Sequence, residues 1–165
     1  MSPLNNVVNV VIAGLGGQGA LKASDIVADA AFRSGFDVKK SEIHGMSQRG
    51  GSVTSDVRFG AEVFSPMVPP GEADFLVVLA PGQVENNRWQ LRPGGTLIPP
   101  ELVVENALRS KKCLNVALAG VLSAFLDLPE EHWVAAIRAN LPEKVHAMNL
   151  DAFQKGRQAA AGLGR

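Results

Sequence analysis

Residues 7–19 read VVNVVIAGLGGQG, and this stretch decides how the chain folds. Its first half, residues 7–13, is almost entirely apolar, as expected for a strand of a parallel sheet that is buried on both faces. Gly14, Gly16 and Gly19 then allow a sharp turn and a close approach of the next element to the strand. The sequence therefore predicts a strand that ends in a glycine turn.

A helix is predicted directly after that turn. Four apolar residues recur there at i, i+3, i+4 and i+7, the spacing of one helix face, namely Ala23, Ile26, Val27 and Ala30. Gly35 stands where a C-terminal cap is expected. Strand, glycine turn and helix form the first part of a βαβ unit, which places ligands at the carboxyl ends of its strands.

The rest of the chain alternates between strand and helix patterns. Strands are predicted at residues 36–43, 53–59, 75–80 and 96–98, and the alternating second one indicates a half-exposed strand near a sheet edge. Helices are predicted at residues 115–126, with Asn115 as N-cap, and between Pro129 and Pro142. We expect a three-layer, Rossmann-like α/β domain with a mostly parallel central sheet and a half-exposed edge strand.

Composition limits the possible functions. The 165 residues favour one domain over residues 1–165, with a frayed tail at 156–165. Sixteen basic and sixteen acidic residues imply no nucleic-acid partner. Cys113 is the only cysteine, which excludes a four-cysteine iron–sulfur site built by this chain. Because no apolar stretch reaches about 20 residues and residues 1–6 lack a basic start, we expect no membrane partner and a cytoplasmic location.

The glycine turn alone supports two interpretations. Its backbone N–H groups at a helix start are suited to an anion, as in nucleotide-binding loops, or the glycines merely make a close turn. A dinucleotide site also needs an acid about 20 residues further on, and Lys39 and Lys40 stand there instead. Glu42 is the nearest acid. Gln18 could reach across to a neighbouring loop or subunit.

A second motif, SEIHGMSQRGGSV at residues 41–53, carries several hydrogen-bond donors between glycines. Arg49 can hold a carboxylate or phosphate through two parallel hydrogen bonds, and His44 can exchange a proton near neutral pH. The alternative is that these side chains make structural or intersubunit hydrogen bonds. We name His44 and Arg49 as candidate catalytic residues on this basis.

Together the two motifs resemble those of the gamma-domain family of the 2-oxoacid (pyruvate, ketoisovalerate or indolepyruvate):ferredoxin oxidoreductases. The similarity is closest to members acting on indolepyruvate. The glycine turn is unspecific, whereas HGMSQRGG at residues 44–51, at this distance from it, is highly specific. Ala73-Asp74, Asn115 and residues 149–153 extend the resemblance over most of the chain.

The resemblance implies a subunit that is inactive alone. Family members decarboxylate a 2-oxoacid on thiamine diphosphate, pass electrons through iron–sulfur clusters to ferredoxin and release an acyl-coenzyme A. A large partner subunit would hold the thiamine diphosphate and the clusters, while this chain would hold no cofactor of its own and could contact coenzyme A. The alternative function is a free-standing NAD- or FAD-binding module.

The predicted ligand-binding or subunit-interface surface combines both motifs. It comprises Gly14, Gly16, Gly17, Gln18, Gly19, Glu42, Gln48, Gly50, Gly51 and Ser52.

Other chemically active residues are weaker candidates. His132 and His146 lack a second ligand at metal spacing, so we interpret them as surface or packing residues and predict no metal site. Cys113 is interpreted as a small core residue. Trp89 and Trp133 are assigned to the core or an interface, and an exposed tryptophan would favour an interface.

Overall fold

The computed structural model describes residues 7–44 and 51–163, without the side chain of His44. Within these ranges the elements follow in the order β1 (Val8–Leu15), α1 (Ala20–Arg33), β2 (Asp37–His44), β3 (Ser52–Gly60), β4 (Ala73–Val78), α2 (Val84–Asn87), β5 (Leu91–Ile98), α3 (Leu114–Phe125), α4 (Glu130–Asn140) and α5 (His146–Ala161). The predicted strand, glycine turn and helix at the start of the chain are confirmed.

The five strands of the described chain form one mixed sheet in the order β2-β3-β1-β4-β5. β1 pairs in parallel with β4, and β4 in parallel with β5, whereas β3 pairs antiparallel with both β1 and β2. β3 is therefore an interior strand, and the prediction that it lies at the edge was wrong. The half-exposed edge strand is β2, because the β2–β3 hairpin inserts its second strand next to β1.

The main core lies on one face of the sheet. Side chains of β1, β3, β4 and β5 on this face share one apolar cluster with side chains of α1, α3, α4 and α5. Trp133 and Phe153, both fully buried, lie in this cluster with ring centroids 5.9 Å apart. The predicted three-layer arrangement is not confirmed, since these four helices of the described chain all contribute to the same face.

The opposite face carries a smaller cluster that includes Val11, Leu76 and Val78. The segment between β3 and β4 is fastened near it by polar side chains. Val68 N donates to Asp56 Oδ2 at 2.9 Å, and Arg58 Nη1 donates to the Ser65 carbonyl at 2.8 Å. Burial raises the pKa of Asp56 above its ordinary value of 3.8. Polar anchors thus supplement a small apolar contact area on this face.

Two glycines set the distance between α3 and α5. A Cβ on Gly120 would collide with the Phe153 carbonyl, and a Cβ on Gly156 would collide with the Ala117 carbonyl. The predicted frayed tail is therefore wrong as far as Ala161: Gly156 and Ala160 are buried against α3 within a regular helix.

The other predicted elements need smaller corrections. α3 begins one residue before Asn115, and its N-cap is Cys113. α4 begins after Pro129 and ends at Asn140, as the two prolines predict. In residues 7–44 and 51–163, we find no helix with both the length and the apolar character needed to span a bilayer.

Candidate functional site

The glycine turn places exposed backbone at the carboxyl end of β1. Gly17 and Gly19 have φ angles of 88° and 86°, a region that only glycine occupies without strain. Gly14 is tightly packed, because a Cβ there would lie 3.0 Å from Gln18 Oε1 and 3.1 Å from the Leu79 Cβ. Gly19 is the N-cap of α1, and no side chain caps the first turn of this helix. The amide groups of this turn are therefore available to an anion.

Gln18 joins the turn to the neighbouring strand end. Its Oε1 accepts a hydrogen bond from Leu15 N at 2.7 Å, and its Nε2 donates to the Leu79 carbonyl at 3.4 Å. The side chain thus closes the turn on itself and connects it to the residue after β4. The interpretation that Gln18 reaches a neighbouring loop agrees with this geometry.

The structure brings the glycine turn against the end of the second motif. Gly16 N donates to the Gly51 carbonyl at 2.8 Å, and Leu15 is paired with Ser52 between β1 and β3. His44 ends β2 opposite Val53. Residues 45–50, which include the predicted site residues Gln48, Arg49 and Gly50, lie outside the described residues. Gly51, after this stretch, lies against the glycine turn, whereas His44, before it, lies on β2 with β3 between it and β1.

Glu42 is not brought to the glycine turn. It is exposed on β2, where its Oε1 forms an ion pair with Lys40 Nζ at 3.3 Å. β3 lies between β2 and β1, so Glu42 is on a strand about 10 Å from β1. In dinucleotide-binding folds the ribose acid ends the strand beside the first one. In this sheet the strand beside β1 on that side is β3, so an acid at the end of β2 does not occupy the usual position.

Asn115, predicted as a helix cap and named as part of the family resemblance, is also a site residue. Its Nδ2 donates to the Gly19 carbonyl at 3.2 Å, and its Oδ1 accepts from Val116 N at 2.9 Å. The side chain is buried, and its Nδ2 lies 2.5 Å from the position of a Cβ on Gly19. Asn115 therefore positions the first turn of α1 against the first turn of α3. An asparagine at the start of a mostly apolar helix was the available signal.

A cleft opens beside the glycine turn. It consists of two adjoining cavities of about 310 and 380 Å³ that share Gln18, Leu79, Glu105 and Leu114. Lys111 and Lys112, on the turn before α3, line the second cavity together with Gly17 and Gly19. Two lysines, Glu105 and the glycine turn that leads into α1 thus line one space. The pair of lysines ahead of a helix was visible in the sequence, but nothing local related it to the glycine turn.

The weaker candidates have structural roles. Cys113 is 1% exposed, and burial raises the pKa of its thiol, which makes it a poor nucleophile. His132 Nδ1 lies 2.9 Å from Ser34 Oγ, and His146 Nε2 lies 2.7 Å from the Leu141 carbonyl. The described part of the chain contains no group of three metal-ligating side chains. Trp133 is in the core, whereas Trp89 is 62% exposed, which favours an interface role for Trp89.

Comparison with known proteins gives consistent matches along the chain. A family model described as pyruvate ferredoxin/flavodoxin oxidoreductase matches residues 9–101 and 99–159. Indolepyruvate oxidoreductase subunit IorB of Thermococcus kodakarensis is 34% identical, over 92% of this chain and 95% of that protein.

Two solved structures share the fold. The gamma subunit of a keto/oxoacid ferredoxin oxidoreductase from Geobacter sulfurreducens superposes with a TM-score of 0.80 at 22% identity, over 96% of this chain and 98% of that chain. The 2-oxoglutarate:ferredoxin oxidoreductase of Magnetococcus marinus, solved with 2-oxoglutarate, coenzyme A and succinyl-CoA bound, gives a TM-score of 0.83 at 20% identity. This chain covers 32% of that longer one, and 96% of this chain is matched.

Proposed function

The chain belongs to the pyruvate ferredoxin/flavodoxin oxidoreductase family, and we propose that it is the subunit without iron–sulfur clusters in an indolepyruvate:ferredoxin oxidoreductase. The substrate assignment is supported by the relative from Thermococcus kodakarensis, which matches this chain over nearly its full length. The reaction breaks the bond between the 2-oxo carbon and the carboxylate to release CO₂. Two electrons pass to ferredoxin, and the acyl group joins the coenzyme A sulfur with loss of the thiol proton.

A large partner subunit holds the redox groups in this proposal. Thiamine diphosphate supplies the chemistry that cleaves the carbon–carbon bond, and clusters in the same partner carry the electrons. The residues of this chain do not suit a cluster, because its one cysteine, Cys113, is buried in the core. The chain acts as a single gamma-type domain of a heteromeric complex in the cytoplasm.

The role we assign to this chain is to admit coenzyme A at the glycine-turn cleft. The observation that carries this role is the convergence of Lys111, Lys112 and the uncapped start of α1 on one space. Coenzyme A carries a diphosphate and a further phosphate, which suit ammonium groups and helix-start amides. Glu101 and Glu105 line the same cleft and favour one orientation of a long, anionic ligand.

His44 and Arg49 complete the proposed surface. Arg49 would hold a phosphate or carboxylate, and His44 would exchange a proton or orient the ligand. Gly51 fixes the end of their segment against Gly16, which supports a shared surface of both motifs. Because Arg49 lies outside the described residues, its role rests on its side-chain chemistry.

The function is tested by reconstitution. The isolated chain is expected to be colourless and inactive, whereas the complex with the large subunit should reduce ferredoxin in the presence of indolepyruvate and coenzyme A. Ferredoxin reduction by this chain alone would refute the proposal, as would a reconstituted complex that is active on other 2-oxoacids but not on arylpyruvates.

Calorimetry separates the alternative module from this function. Purified chain is titrated with coenzyme A, NAD and FAD in turn. Saturable binding of NAD or FAD at micromolar strength, with no binding of coenzyme A to the chain or the complex, would favour the dinucleotide module. The position of Glu42 on a strand separated from β1 predicts the opposite result.

A further inference from the structure

A separate cavity, which we call the aromatic cavity, lies at the end of the sheet opposite the glycine turn. Its volume is about 320 Å³, and it is bounded by the start of β1, the end of β3 and the connection between α3 and α4. This volume falls at the lower end of the range for small-molecule sites, about 300–1,000 Å³. Nothing in the coenzyme A cleft contributes to it.

Aromatic side chains dominate the walls of this cavity. Four of the seven phenylalanines of the sequence line it, namely Phe36, Phe59, Phe75 and Phe125. They form two tilted pairs, with ring centroids 5.6 Å apart for Phe36 and Phe59 and 6.0 Å apart for Phe75 and Phe125. A flat aromatic ring fits such walls, because tilted and offset ring contacts are favourable at these separations.

The polar groups of the cavity determine the charge it accepts. Asp74 is 8% exposed, and its carboxylate accepts hydrogen bonds from Asn9 N at 2.8 Å and from Arg92 Nε at 2.6 Å. The Arg92 charge is thereby matched by Asp74. Asp127, an exposed residue on the connection between α3 and α4, also lines the cavity and forms no ion pair with a described residue. One negative charge is left over.

We propose that this cavity is a binding site for a small planar aromatic molecule that carries a positive charge or a hydrogen-bond donor, such as an arylalkylamine or an indole. The ring packs against the phenylalanines, and the donor or cation faces Asp127. An aryl carboxylate is disfavoured, because its charge repels Asp127 while Arg92 is already paired. The proposal does not depend on the function of the glycine-turn cleft.

The test uses the full chain and three probes that share one ring system: tryptamine, indole and indole-3-acetate. Isothermal titration should give binding that is strongest for tryptamine and about tenfold weaker for indole-3-acetate. Amide chemical shifts should move at Val8, Phe75 and Thr96 rather than at Gly17 and Asn115. Absence of saturable binding by every probe would overturn the proposal, and so would equal or stronger binding of indole-3-acetate.

Two variants locate the contacts. Phe36→Ala should weaken binding of indole about 3–10-fold, and Phe36 is the most exposed of the four rings that line the cavity. Asp127→Asn should remove the preference for tryptamine and leave indole binding unchanged. Glu101→Gln, in the other cleft, is the matched control and should change neither. Unchanged binding in both Phe36→Ala and Asp127→Asn, with folding verified by circular dichroism, would show that the probes bind elsewhere.

Discussion

Cavities lie at both ends of the sheet, and they differ in what lines them. Backbone contributes much of the lining at one end, and aromatic side chains contribute most of it at the other. At the carboxyl ends of β1 and β4, the glycine turn, two lysines and two glutamates line a cleft of adjoining cavities of about 310 and 380 Å³. At the opposite end, four phenylalanine rings and a surplus carboxylate surround about 320 Å³. One end therefore presents backbone with charged side chains of both signs, and the other presents aromatic side chains with one unpaired carboxylate.

This difference predicts which end of the sheet tolerates amino-acid substitutions with less loss of stability. A backbone-lined turn depends on the absence of Cβ atoms and on φ angles that other residues avoid, so a small change alters its shape. An aromatic-lined cavity depends on side-chain area, and shortening one partly exposed ring removes only that contact. Substitutions at the two ends should accordingly differ in their cost to folding.

The largest effect is expected at Gly19. Gly19→Ala imposes a φ of 86° on an alanine and places its Cβ 2.5 Å from Asn115 Nδ2. We expect the free energy of unfolding to fall by about 3–5 kcal/mol, from backbone strain and overpacking together. Gly17→Ala is the matched control, since its φ is 88° but no atom lies within 4 Å of the added Cβ. It should cost about 1–2 kcal/mol in urea unfolding. Equal losses would contradict the role of Asn115.

A smaller loss is expected at the aromatic end. Phe36→Ala should lower the free energy of unfolding by about 1–2 kcal/mol, because the ring is 36% exposed and loses its contact with Phe59. Phe64→Ala, at a ring that is 83% exposed, should stay within about 0.5 kcal/mol of the unsubstituted chain in the same urea series. If Phe36→Ala cost as much as Gly19→Ala, the proposed contrast between the ends would fail.

The role of the two lysines of the cleft is tested in the reconstituted complex. Lys111→Ala combined with Lys112→Ala should raise KM for coenzyme A about 3–10-fold with kcat unchanged, because exposed lysines each contribute modestly to anion binding. Lys144→Ala, an exposed lysine outside the cleft, should leave KM unchanged. A wild-type KM in the double variant would show that coenzyme A does not bind at this cleft. It would not contradict the assignment of the chain as a subunit of the oxidoreductase.

The smallest effect concerns a carboxylate beside the aromatic end. Asp37 accepts a hydrogen bond from Val63 N at 2.8 Å, and this bond holds the pKa of Asp37 below its ordinary value of 3.8. A lowered carboxylate pKa stabilises the fold above the unfolded-state pKa, and this contribution is lost as the pH falls through the folded-state pKa. Asp37→Asn should therefore be slightly less stable than the unsubstituted chain at neutral pH.

The difference should disappear once the pH has fallen below the lowered folded-state pKa of Asp37, measured by urea unfolding over a pH series. Glu62→Gln, at an exposed neighbour of Val63, should follow the unsubstituted chain throughout. A loss in Asp37→Asn that is constant with pH would mean that the charge of Asp37 is not the cause.

Local patterns were sufficient for most of the elements. The apolar run at residues 7–13, the spacing of Ile26 and Val27 and the prolines around α4 depend on residues close in the chain, and each predicted element is present. The edge position of β3 was predicted wrongly from its alternation of apolar and polar residues. Its polar residues, such as Asp56 and Arg58, are not exposed at an edge but anchor the segment between β3 and β4 over the face with the smaller apolar cluster. Gly156 was misread as a tail residue, because its neighbour Ala117 is distant in sequence.

The sequence by itself determined the family, the glycine turn and the absence of a cluster ligand set, since these reside in contiguous motifs and in composition. Only the tertiary structure decided that Gly16 meets Gly51, that Asn115 meets Gly19 and that β3 separates Glu42 from β1. It also decided the aromatic cavity, whose rings come from positions 36 to 125. The physical reason is the same in each case: these contacts join segments far apart in the chain, and strand order and helix packing, rather than any local pattern, bring them together.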